Sequence, residues 1–178
     1  MKQEEHTIVK KAIKGNKKAF EQLIKQHYEQ IYRTAYLYVH NEADALDVVQ
    51  EASYQAFTSI HSLKNPEFFM TWFTKIIIRY SGKVLEKRSK VVPLTDEILL
   101  NEVPAAKPDR EESILILHAL SQLKENYRTV LILFYYHDYS IKTISQMLKL
   151  PEGTVKTYLS RGKDALKKYY MGEEQSHG

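Results

Sequence analysis

The sequence predicts an all-α protein of two small helical domains, residues 1–90 and 111–178, joined by an acidic, proline-containing linker at 91–110. Three observations lead there. The 178 residues include only six glycines and five prolines, so long stretches run without a residue that breaks a helix. Within them the apolar residues recur at three- and four-residue steps, the spacing of one helix face, rather than in strand-like alternation. In one interval the period fails: Pro93, Pro104 and Pro108 interrupt it and Asp96, Glu97 and Glu102 gather there, as in an extended connector.

The elements follow in order. The opening MKQEEHTIVKKAIKGNKK alternates charge and lacks the continuous apolar run of a signal peptide. A first helix is expected over residues 18–39, with Phe20, Leu23, Ile24, Tyr28, Ile31 and Ala35 on one face. Asn41 can cap a second, which carries Leu46, Val49, Ala52, Ala56 and Ile60 inward. After the loop SLKNP a third, residues 67–90, buries Trp72, Phe73, Ile76, Ile77, Tyr80 and Val84. Three such faces can close one core.

Beyond the linker, helices are expected at 111–123, 125–137 and 141–148, followed by one opened by Pro151, whose missing N–H costs nothing in a first turn. Ser140 can cap the third of these. Ile141, Ile144 and Leu148 would then lean on Val155 and Leu159 of the last helix, whose stripe continues through Gly162 and Leu166. Two helices joined by so tight a turn make a helix-turn-helix candidate.

Composition narrows the function. Net charge is +4 and the pI is about 9.0, a mild bias toward polyanionic partners. The absence of cysteine excludes disulfides and cysteine-rich zinc sites. The apolar runs SILIL and VLILFYY fall well short of the ~20 residues that cross a bilayer, so the protein is expected in the cytoplasm and not embedded in a membrane. No glycine-rich phosphate loop or HExxH occurs, and the seven histidines are scattered without metal-ligand spacing. We therefore expect no enzyme, cofactor or metal. The thirteen tyrosines suit core boundaries better than a cofactor pocket.

Three charged faces remain. On the last helix, Lys156, Thr157, Ser160, Arg161 and Lys167 point away from the apolar stripe, with Gly153 and Thr154 at its start. Such a face can enter a major groove, where Lys and Arg read guanine edges and a helix start favours phosphate; an αα corner of a plain bundle is the competing reading. On the third helix, Lys75, Arg79, Lys83 and Lys87 repeat every four residues. Like charges at that spacing weaken an isolated helix, a cost that a phosphate-rich partner would reverse. Alternatively, this is a solvated lysine face partly relieved by Glu86. The second helix has the opposite sign: Asp44, Asp47, Glu51 and Tyr54 share an exposed edge beside Gln50, solvated surface or a face for a basic protein partner.

DALDVVQEA, then WFTKIII, an acidic linker, and YRTVLILFYY followed by YSIKTISQMLKLPEGTVKTYLSRGKDAL together resemble the extracytoplasmic-function group of bacterial RNA polymerase sigma factors. The likeness spans both domains in order, residues 16–168. It implies an alternative sigma factor that binds core RNA polymerase and promoter DNA in a stress or envelope response, often held silent by an anti-sigma factor. It further implies that Asp44, Asp47, Gln50 and Glu51 contact the polymerase clamp. Asn65, Lys75, Arg79, Lys83 and Lys87 would bind the minus-ten element, with Phe68 and Phe69 either near an unstacked base or, as favoured on packing grounds, in the core. Gly153, Thr154, Lys156, Thr157, Ser160 and Arg161 would read the minus-thirty-five element.

The linker resembles the segment threaded toward the polymerase active centre, and roughly 20 extended residues reach about 70 Å. Arg79 stands where many members carry asparagine and Lys83 near a usual acidic residue, which implies an unusual minus-ten preference. Lys124 replaces a frequent proline. The rival function is a free-standing helix-turn-helix regulator, which needs a dimerisation face and a palindromic site.

Overall fold

The computed structural model describes residues 2–91 and 110–176, most of them helical. The expected linker, apart from its two end residues, lies outside the described residues. The chain divides into two compact units, Met1–Leu94 and Thr95–Gly178.

The first unit holds α1 (Lys2–Ile13), α2 (Lys17–Val39), α3 (Glu42–Ser59), two short 3-10 turns (Ile60–Ser62 and Pro66–Phe68) and α4 (Phe69–Val91). Its breaks are set by local chemistry. Gly15 adopts φ 91° between α1 and α2, a backbone region open to glycine at little cost. Asn16 then caps α2, its Oδ1 accepting from the Ala19 N–H at 3.0 Å. The α2–α3 turn is only His40 and Asn41. His40 takes the left-handed conformation that ends a helix, and Asn41 caps α3 by accepting from the Asp44 N–H at 2.9 Å.

Helices α2, α3 and α4 pack pairwise around Leu23, Ile31, Val48, Phe69, Phe73 and Ile77, all fully buried. Two expected core positions point outward instead: Tyr28 and Leu46 are both exposed. On α3 the buried residues are Ala45, Val48, Val49, Ala52 and Ala56, so the expected Val49, Ala52 and Ala56 do face the core, and Ala45 and Val48 take the place of Leu46. Small residues there let α2 and α4 approach. Helix α1, not anticipated from the sequence, closes this unit with Val9 and Ala12, both buried, and sets its Glu5 carboxylate 2.9 Å from His27 Nε2 on α2.

The second unit holds α5 (Arg110–Gln122), α6 (Glu125–Leu131) widening into a π-helical turn (Ile132–Tyr136), α7 (Ile141–Leu148) and α8 (Glu152–Ser176). The expected uniform helix over 125–137 thus ends in a wider turn, which leaves His137 buried with its ring stacked on Tyr139 at 5.1 Å. Arg128 is buried on α6 and donates to the carbonyls of Leu120, Ser121 and Leu123. It thereby satisfies acceptors that the end of α5 leaves open.

Candidate nucleic-acid interface

The turn between α7 and α8 fixes the angle of the basic helix. Ser140 accepts from the Thr143 N–H at 3.1 Å to start α7. Lys149 ends it in the left-handed conformation (φ 54°), and the Lys149 and Leu150 N–H groups both donate to the Ser145 carbonyl. The Ser145 hydroxyl donates back to the Leu150 carbonyl. Pro151 has no N–H that would need an acceptor, and its carbonyl accepts from the Thr154 and Val155 N–H groups to open α8. Ile144 and Met147 of α7 are buried with Val155 and Leu159 of α8, while Ile141 and Leu148 are only half-buried. Gly162 completes the seat: a Cβ there would stand 3.0 Å from Leu131 Cδ1 and 3.3 Å from Tyr127 Cβ, so α6 and α8 touch nearly backbone to side chain.

That packing leaves the other side of α8 open. Gly153, Lys156, Thr157, Ser160 and Arg161 are exposed and Thr154 is half-buried at the edge. Thr157 donates its hydroxyl to the Gly153 carbonyl at 2.9 Å, so its hydroxyl hydrogen is engaged within the helix. Lys163, Lys167 and Lys168 extend the positive face. A rigidly seated helix with Lys, Arg, Thr and Ser outward can donate to base edges and phosphates alike.

On α4, Lys75, Arg79, Lys83 and Lys87 are all exposed. The relief expected from Glu86 goes elsewhere, since its carboxylate pairs with Lys90 at 3.0 Å. No carboxylate lies within ion-pair reach of the four stripe cations among the described residues. Two of them instead meet an aromatic ring: Lys83 Nζ lies 4.6 Å and the Arg79 guanidinium 5.3 Å from the Tyr80 centroid. The i, i+3 spacing of Tyr80 and Lys83 could have flagged half of this; the hydrogen bond that the Tyr80 hydroxyl donates to Gln55 Oε1 on α3 at 3.2 Å joins residues far apart in sequence.

At the start of α4, Asn65 is exposed and caps the 3-10 turn, accepting from the Glu67 N–H at 3.0 Å. The neighbouring phenylalanines divide. Phe69 is 1% exposed and belongs to the core, as packing favoured, whereas Phe68 is 55% exposed. Phe68, Pro66 and Glu67 line one side of a groove of about 930 Å³ whose other side is Gln3, Glu5, His6 and Thr7 of α1.

The acidic edge of α3 is mixed in character. Asp47, Gln50 and Glu51 are exposed, and Leu46 (43% exposed) and Tyr54 (68%) share their side of the helix. Asp44 is different: its carboxylate stands 3.3 Å from Arg88 of α4, and Arg88 also donates to the Val39 carbonyl at 2.9 Å. The Asp44 side chain is 29% exposed, so it braces α3 against α4 while keeping one edge to solvent. Among the described residues no cluster of three or more His, Asp or Glu side chains could hold a metal, and no helix is long and apolar enough to cross a membrane.

Comparison with known proteins adds to this geometry. Residues 23–90 match the family described as sigma-70 region 2, and residues 113–166 match sigma-70, region 4. The chain is 34% identical over 138 residues to RNA polymerase sigma factor SigV of Bacillus subtilis (strain 168), covering 78% of this chain and 82% of the relative. It is 28% identical over 174 residues to ECF RNA polymerase sigma factor SigW of the same organism, covering 90% and 93%. Among solved structures, CnrH in complex with the cytosolic domain of CnrY superposes with a TM-score of 0.72 at 20% identity, covering 94% of this chain and 97% of that one. The sigma factor RpoE, in complex with the anti-sigma factor NepR from Bartonella quintana, gives 0.68 at 21% identity, covering 86% and 98%. At those identities the two structures speak to the fold.

Proposed function

Because the chain belongs to the extracytoplasmic-function group of sigma-70 family RNA polymerase sigma factors, and so is an alternative sigma factor in promoter-specific initiation, we propose that its three charged faces divide the contacts of initiation among them. The face of α3 built from Asp47, Gln50, Glu51, Leu46 and Tyr54 docks on core polymerase, with Asp44 at its half-buried end. Its carboxylates steer toward a basic surface, and Leu46 and Tyr54 supply apolar area. The stripe Lys75, Arg79, Lys83 and Lys87 on α4 follows the DNA backbone at the minus-ten element, where Asn65 and the exposed Phe68 offer a cap and a stacking ring to an unstacked base. The outer face of α8, from Gly153 and Thr154 through Lys156, Thr157, Ser160 and Arg161, reads the minus-thirty-five element in the major groove.

The observation that carries this division is in the first unit. Helices α3 and α4 pack on each other yet present opposite charge outward, acidic on α3 and basic on α4. No single polyanion suits both, so the unit meets two partners of opposite sign. The chemistry of RNA synthesis belongs to the polymerase, and this chain acts by binding, not as an enzyme. We place it in the cytoplasm, where its partners are, in a stress or envelope response. By analogy with its structural neighbours we also assign it an anti-sigma partner. The domain limits 1–90, 91–110 and 111–178 follow from the same reading.

Charge reversal tests it. The double substitution D47K/E51K should abolish binding to purified core polymerase while leaving helix content as in the wild type, because both side chains are exposed on α3. Undiminished binding would remove this face from the interface.

A further inference from the structure

The cations of α4 are not equivalent. Lys75 and Lys87 make no contact with an aromatic ring among the described residues, whereas Arg79 and Lys83 both lie against Tyr80, at 5.3 and 4.6 Å from its centroid. That ring is itself held. Its hydroxyl donates to Gln55 Oε1 on α3 at 3.2 Å, and the side chain is half-buried. We infer that Tyr80 is a positioning residue for promoter binding: its ring, pinned to α3 through Gln55, gathers Arg79 and Lys83 into a preformed cationic pair on the face of α4 that meets DNA. The inference rests on the DNA-backbone reading of that stripe.

Arg79 and Lys83 are like charges one helical turn apart and repel; left alone, their long stems would sample many rotamers and separate. The negative face of an aromatic ring attracts a cation within about 6 Å of its centroid, so Tyr80 offsets that repulsion and narrows the rotamers. A ring free to rotate would do this poorly, and the bond to Gln55 ties it to a second helix. Side chains ordered before binding lose less entropy when phosphates arrive. Tyr80 contributes through the two cations, without needing to touch the nucleic acid.

A double-mutant cycle tests this on the full chain assembled with bacterial core polymerase, the probe being the DNA fragment upstream of the protein's own gene. Equilibrium affinity is measured at one fixed salt concentration for wild type, Y80L, R79A/K83A and the triple variant, with affinity for core polymerase and helix content in parallel. Y80L should weaken DNA binding by about two- to fivefold, the worth of an exposed cation–π contact, and should weaken it no further once Arg79 and Lys83 are gone. A residue that merely stabilised the unit would cost the same in both backgrounds, and that result, like no loss at all with Y80L, overturns the inference. R79A/K83A binding DNA as well as wild type would overturn the backbone reading of these two cations, and the role of Tyr80 with it. Should Y80L lose helix content, Q55A carries the same cycle: the ring stays but its anchor is gone. A loss that vanishes without Arg79 and Lys83 supports the inference, and no loss overturns it.

Discussion

Arg128 and His137 show how much of the second unit depends on single buried polar groups. Arg128 sits against three carbonyls at the end of α5, and removing a charged donor strands acceptors that water cannot easily reach. R128M should cost roughly 2–3 kcal/mol in denaturant unfolding of the full chain; a change within a few tenths would mean those carbonyls are otherwise satisfied. His137 is held neutral: burial lowers its pKa to about 4, against a smaller opposite pull from the Asp138 carboxylate. Its unfolded value is near 6.5, so between those pH values the unfolded chain binds the extra proton. The contribution is therefore fully present above about pH 6.5 and is lost as pH falls toward 4, at most about 3 kcal/mol. H137F, which keeps a ring for Tyr139 to stack on, should flatten the stability profile in that window; an unchanged acid slope would place the effect elsewhere. Neither role could be read from the sequence, because both are set by packing partners rather than by neighbours in a motif. The adjacent Phe68 and Phe69 make the same point: which ring turns inward depends on the Pro66–Phe68 turn, and only Phe69 does.

At the scale of the helix, local chemistry was legible and register less so. The caps at Asn41 and Ser140 are formed as their residue types require, since a cap needs only residues within the first turn. The α7–α8 turn and the α8 stripe followed from spacing alone. On α3 the expected Val49, Ala52 and Ala56, with Ile60 just past its end, are buried, but Ala45 and Val48 turn inward with them in place of Leu46. Leu46 is then left for the exposed face. Helix α1 escaped notice because its buried contribution is only Val9 and Ala12, too sparse a stripe to stand out. The α6–α8 contact gives a sharp test. Gly162 faces Leu131 and Tyr127 with no room for a branched side chain, so G162V should cost about 1–3 kcal/mol through overpacking. Retained stability would show that α6 can move aside. For α4, replacing Lys83 and Lys87 by alanine should reduce the slope of log affinity against log salt by about 2 in the assembled complex, nearly one per lost phosphate contact. An unaltered slope would detach these lysines from the DNA backbone.

On the scale of the whole molecule, the all-α class and the split into two units were both carried by period and composition, while the linker's acidic residues fall outside the described residues. The order of motifs along the chain resembled that of the family before any contact was known. What the sequence could not supply was the company those residues keep. Asp44 turned toward Arg88, Glu86 toward Lys90, and Tyr80 toward two cations at once. These pairings leave Asp47, Gln50 and Glu51 exposed on the acidic edge, and among the described residues no carboxylate pairs with the α4 stripe. As a sigma factor, this chain gives core polymerase a promoter it does not otherwise use. The most direct measurement is transcription in vitro from the DNA upstream of the protein's own gene, with core polymerase alone as the control. A discrete transcript should appear only when the protein is present and be lost with D47K/E51K. No transcript and no binding to core, with the protein alone protecting a palindromic site, would contradict it.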